Sequence, residues 1–197
     1  ARLVCEQAPA PLAESSAARP PPGEPARTLQ GDIANMRYIE HLTGGALAHE
    51  RVPMIVALHP MGGDPADLLQ ILRRYRRRAR LILPYGHPSG GLYIWYDSAR
   101  SDVAAPVVTQ EADRIAAVIT ALTASRPTVG KPMLTGFSQG GIMTFALAVT
   151  HPDAIAAAFP ISGLLPPTLY PSAALSSQPR PATLAFPHIG GAAQPSG

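Results

Sequence analysis

The sequence predicts an α/β fold: one domain built on a mainly parallel β-sheet flanked by helices. Three observations carry that expectation. Short apolar bursts alternate with stretches of helical spacing, the pattern that produces crossover units and a parallel sheet. "VPMIVALH" at 52–59 is a continuous run of branched and apolar residues, as a strand buried on both faces requires. The 197 residues, 46% of them hydrophobic, suffice for one domain with a sizeable core and would crowd two.

The elements follow in chain order. Residues 1–27, "ARLVCEQAPAPLAESSAARPPPGEPAR", are rich in Pro and Ala with few large apolar side chains. Such a tract buries too little surface to offset the entropy of ordering it, so it is expected to be a tail, with residues 28–197 as the folded domain. "ANMRYIEHL" at 34–42 reads as a strand that ends in a turn at Thr43, Gly44 and Gly45. After the strand at 52–59, "PADLLQILRRYRRRA" at 65–79 reads as a helix with Pro65 in its first turn and Asp64 as its cap. "RLILP" at 80–84 is the next strand, and "GHPSGGLYIWYDSARSD" at 86–102 a long polar and aromatic loop. Helical spacing over 107–125 is followed by a short strand at 131–136 and by a helix after Ser138. Strands in "AIAAAFPIS" at 154–162 and "ATLAFPHI" at 182–189 complete the alternation.

Composition excludes several function classes. No apolar run reaches the ~20 residues of a membrane-spanning helix. The net charge of +3 is local, because six of the 16 Lys and Arg residues fall in "RRYRRRAR" at 73–80. Arginines in a helix's last turn complement the negative end of its dipole and lay their stems on apolar surface, which is the reading preferred here over an anionic partner. No aromatic residue beyond Tyr75 interleaves with them, so no nucleic-acid partner is expected. The single cysteine, Cys5, rules out an internal disulfide and makes a cysteine-based zinc site implausible, and no metal is expected. Tails of this composition often follow an export signal, so export is favoured over a cytoplasmic location, although "RLVC" matches a lipoprotein cleavage site poorly and no signal core is present.

The chemistry concentrates in "LTGFSQGGIMTFALAVTHPDA" at 134–154. Ser138 falls at the carboxyl end of a parallel strand, where ligands gather in such sheets. A serine on a sharp strand-to-helix turn presents its hydroxyl as a nucleophile, and Gly136 and Gly140 leave room for the backbones that cross there. The alternative, a helix-capping serine, explains Ser138 but not the glycines around it. Acyl transfer also needs backbone amides aimed at the developing oxyanion. "LHPMGGDPADL" at 58–68 sits at the end of an earlier strand. Gln139, after the serine, supplies one amide; Pro60 has no N–H, so the second falls to Met61, with Gly62 and Gly63 letting the loop bend close. A plain strand-to-helix connection is the alternative for that loop.

"LHPMGGD", "WYDSA" at 95–99, "GFSQGG" at 136–141 and "HPDAIAAAFPISGLLP" at 151–166 resemble the phospholipase/carboxylesterase branch of the α/β-hydrolases, which includes acyl-protein thioesterases and small bacterial carboxylesterases. The resemblance runs from about Met36 to Pro166. It implies an α/β-hydrolase-type sheet and hydrolysis of a small-molecule ester or thioester, without a cofactor, through an acyl-enzyme on Ser138. It also implies Met61 and Gln139 as oxyanion donors and places Trp95 near an acyl pocket, although an aromatic residue beside a loop more often packs than recognises.

One part of the pattern departs from the family. In this fold an acid and then a histidine follow the nucleophile. After Ser138 the only carboxylate is Asp153 and the only histidines are His151 and His188. The resemblance puts His151 and Asp153 at the far end of the nucleophile helix, in solvent. The family's acid segment, of the type His-Gly-x-x-Asp-Pro, has a loose counterpart in "HIGGAAQPSG" at 188–197, with Gln194 at the acid position or His188 on the leading histidine. Three expectations compete: a truncated or frameshifted esterase lacking the usual last strand and helix; His188 as base without a local carboxylate; a silent hydrolase-like binding protein. An unpaired last strand favours self-association, so a homo-oligomer through an exposed sheet edge is expected.

Overall fold

The structure, a computed structural model, describes residues 28–97, 105–170 and 182–183. Strands β1 (Thr28–Ile33) and β2 (Met36–Thr43) form an antiparallel hairpin. Ala34 and Asn35 join them with φ of 49° and 58°, the paired positive values of a two-residue turn that matches strand twist. The chain continues through β3 (Met54–Leu58), α1 (Pro65–Leu72) and β4 (Ala79–Pro84), then a small hairpin of β5 (His87–Ser89) and β6 (Leu92–Ile94). Helix α2 (Ala105–Ser125), β7 (Met133–Phe137), α3 (Gln139–Thr150), β8 (Ala157–Ile161) and β9 (Ala182–Thr183) follow.

The main sheet has the order β1-β2-β4-β3-β7-β8-β9. Pairing is antiparallel at β1/β2 and β2/β4 and parallel across the rest. This is the mainly parallel α/β sheet that the alternation of elements predicts. Both faces are covered, which is why β3 and residues 81–84 of β4 read as unbroken apolar runs. Val56, Leu58 and Ile82 pack in one cluster with Ile115, Ile119 and Leu147 of α2 and α3, whereas Ala57, Leu81 and Leu83 turn the other way onto Leu69 of α1.

Three expectations need correction. Strand β1 was not foreseen: "TLQGDI" lies half-exposed at the sheet edge and lacks the apolar run that marks a buried strand. Segment 86–102 is not wholly a loop, since it holds the β5/β6 hairpin with Gly90 and Gly91 at its turn, φ 58° and 83°; that Gly-Gly pair is the signal that marks it. Helix α1 begins as expected, with the Asp64 side chain accepting from the Ala66 N–H at 2.8 Å, but it ends at Leu72 rather than Ala79.

The early stop overturns the helix-dipole reading of the arginines, because no basic residue lies in the last turn of α1. Arg73, Arg74, Arg76 and Arg77 are exposed beyond it, Arg78 pairs with Glu50, and Arg80 is buried in β4 against Glu40. From 73 to 78 every residue is exposed, so nothing there holds a helix face, and closely spaced like charges oppose one. The expected tail at 1–27, with Cys5, lies outside the described residues, as do Gln194 and the strand expectation beyond Thr183.

Candidate functional site

Ser138 bridges β7 and α3 with φ 54° and ψ −115°, a region that L-residues avoid and that surrounding structure must enforce. The enforcement is visible in the backbone. The Ser138 N–H donates to the Ile161 carbonyl at the end of β8 (2.9 Å), and the Ser138 carbonyl accepts from the Ile142 N–H in the first turn of α3 (3.0 Å). A Cβ at Gly136 would collide with the Gly140 carbonyl, and one at Gly140 with the Leu58 carbonyl of β3. The glycines two residues either side of the serine are therefore set by three backbones crossing at close range. Ser138 occupies the N-cap position of α3 yet its side chain makes no capping hydrogen bond, which removes the helix-cap alternative.

The glycine-rich turn lies next to this elbow, because β3 and β7 are paired neighbours with Leu58 opposite Gly136. The Gly63 N–H donates to the Pro60 carbonyl (3.0 Å), closing the turn. The Gly62 N–H donates to the Tyr93 carbonyl of β6 (2.9 Å), and the Tyr93 N–H to the Gly63 carbonyl (3.3 Å). Met61 stands at the tip of the turn, 53% exposed. Gln139 opens α3 and is buried, its carboxamide oxygen accepting from the Trp95 N–H and its amide nitrogen donating to the Tyr96 carbonyl, both at 2.8 Å.

Trp95 is wholly buried. Its indole N–H donates to the His59 carbonyl (2.8 Å) and its ring stacks on the His59 imidazole at 4.6 Å. These are packing contacts, the alternative weighed for this residue. His59 itself was quoted in the sequence motif without a role. It is fully buried, with Nδ1–H donating to the Pro60 carbonyl (2.8 Å) and Nε2 accepting from the Gly86 N–H (3.0 Å). A carbonyl partner on one nitrogen and an N–H partner on the other require the neutral ring. Burial accordingly holds its pKa below the ordinary 6.5, opposed by the Pro60 bond and the Asp64 carboxylate.

The other residues singled out in the sequence are not gathered here. His151 caps the far end of α3, about 20 Å along the helix axis from Ser138. Its Nε2 sits 3.3 Å from Asp113, while Asp153 is exposed beside Lys131. His188 lies outside the described residues. Among the described residues no group of three His, Cys, Asp or Glu is placed to hold a metal ion, and no helix is long and apolar enough to cross a membrane.

A strained serine between strand and helix, beside a glycine-rich turn at the carboxyl ends of a mainly parallel sheet, defines the class as an α/β-hydrolase fold. Within that class the chain belongs to the phospholipase/carboxylesterase family, whose model matches residues 79–185, just over half of the sequence. Among solved structures it is similar to an acetyl xylan esterase from Aspergillus awamori, at 20% identity and TM-score 0.54, covering 74% of this chain and 55% of that one. It is also similar to a carboxylesterase from Mesorhizobium loti, at 22% identity and TM-score 0.53, covering 73% of this chain and 69% of that one. Both likenesses concern the fold. The chain spans little more than half the length of the first. A search of curated proteins returns no significant match.

Proposed function

We propose that the chain carries the nucleophile and oxyanion half of a serine carboxylic-ester hydrolase acting on small acyl esters or thioesters. The Ser138 hydroxyl attacks the acyl carbonyl and loses its proton to a base. The carbonyl electrons move onto oxygen, where the Met61 and Gln139 amides hold the oxyanion, and its collapse expels the alcohol or thiol. Water then cleaves the acyl-serine and releases the acid. His188 is the proposed base. The observation that carries the reading is the enforced positive φ of Ser138 between two glycines that admit no side chain.

Labelling with a fluorophosphonate probe tests it. The expected result is one adduct on Ser138, with p-nitrophenyl acetate turnover that Ser138→Ala removes. Folded protein that takes no label would overturn the catalytic reading. It would favour a non-catalytic hydrolase-like module. A homo-oligomer joined through the sheet edge remains a separate proposal, and a monodisperse monomer in light scattering would overturn it.

A further inference from the structure

The two proposed amide donors belong to different segments, and the sheet alone does not tie them together. Residue 61 rides on the turn after β3, residue 139 on the first turn of α3. Between them runs a chain of side-chain contacts through the segment that follows β4. Gln139 grips the backbone at Trp95 and Tyr96, the Trp95 indole grips the His59 carbonyl, and the His59 ring links Gly86 to Pro60. The β6 backbone at Tyr93 closes the circuit on Gly62 and Gly63.

The structure assigns the Gln139 carboxamide the role of a positioning residue that, through Trp95 and His59, sets the spacing between the residue 61 and residue 139 amides. Two features support this. Gln139 is 4% exposed at a position that an apolar side chain would fill without needing partners, yet both ends of its carboxamide are used. Both of its partners are backbone groups of one short segment, so the contact fixes that segment's register against α3 rather than merely filling space. An oxyanion hole works through donors already in place, and an error of about 1 Å in such a site costs on the order of 100-fold in rate.

The inference rests on the hydrolase reading above, and the experiment separates the two. Gln139→Ala keeps the backbone amide and removes only the clamp. Measured well below its melting temperature, it is expected to lose about 10- to 100-fold in kcat on p-nitrophenyl acetate with KM within about twofold of wild type. Gln139→Glu distinguishes positioning from simple packing. Ionised, it sets a carboxylate against the Tyr96 carbonyl; protonated, it donates there as the amide did. Its kcat relative to wild type at the same pH should therefore climb as pH falls from about 8 to about 5, the buried carboxyl taking up its proton early. Wild-type kcat in Gln139→Ala, or a loss in Gln139→Glu that does not vary with pH, would overturn the inference while leaving the hydrolase reading intact. Wild-type protein that neither labels at Ser138 nor turns over ester would overturn both.

Discussion

Two buried polar clusters lie at opposite ends of the sheet and differ in kind. Toward the amino ends of the parallel strands, Arg80 of β4 and Glu40 of β2 form an ion pair that Arg126 extends at 3.0 Å and the Ala48 carbonyl completes. At the carboxyl ends, the His59–Trp95–Gln139 cluster is neutral throughout and every contact in it reaches backbone or an aromatic ring. The charged cluster joins strands and an adjacent helix end; the neutral one joins loops to the first turn of α3. Charge is tolerable where regular structure surrounds it and supplies partners, whereas at the proposed oxyanion hole a fixed charge would distort the field of the backbone donors.

If that contrast is right, substitutions in the two clusters should separate stability from turnover. The largest loss of stability is expected from Glu40→Ala, which leaves Arg80 buried without its carboxylate; about 3–5 kcal/mol should be lost in urea unfolding, with kcat of the remaining folded protein unchanged. His59→Phe keeps a ring against Trp95 but orphans the Gly86 N–H and the Pro60 carbonyl. A cost of about 1–3 kcal/mol is expected, together with a fall in ester turnover that Glu40→Ala does not share.

A smaller effect should appear in pH dependence. Because burial lowers the native pKa of His59, the unfolded chain takes up the proton more readily. Its contribution to stability is complete above the ordinary value of 6.5 and declines as pH falls from there toward the lower native value. Asp64 works against the shift, and His41, lowered by its own burial and by Arg73, tilts the same way. His41 is common to both proteins, so the wild-type minus His59→Phe difference in urea midpoint should narrow on acidification below 6.5. A difference independent of pH would show that His59 is not the titrating group. The smallest effect has the opposite sign: Ser138→Gly relieves the positive φ and should raise stability by about 1 kcal/mol in the same unfolding assay while removing the proposed nucleophile.

The parts of this molecule most readable from sequence are those in which local chemistry and long-range packing agree. β3 and residues 81–84 of β4 announce themselves because burial on both faces demands apolar residues there, and the elbow does so because glycine alone fits at 136 and 140. β1 and the arginine-rich turn resisted reading for the opposite reason. An edge strand needs no apolar face, and "RRYRRRA" looks helical until the return of the chain into β4 is known. The His59–Trp95–Gln139 circuit was invisible for a third reason. Its members stand 36 and 44 residues apart, and no periodicity joins them.

The order of strands also governs when Ser138, the proposed nucleophile, acquires its strained geometry. β7 lies against β3, which precedes it by two strands of the small hairpin, one of the main sheet and two helices, and the Leu58 carbonyl of β3 is what leaves Gly140 no room for a side chain. Until that long excursion has closed, the hydroxyl belongs to an ordinary flexible residue, no more reactive than any other alcohol on the chain. Assembly itself thus acts as the safety catch.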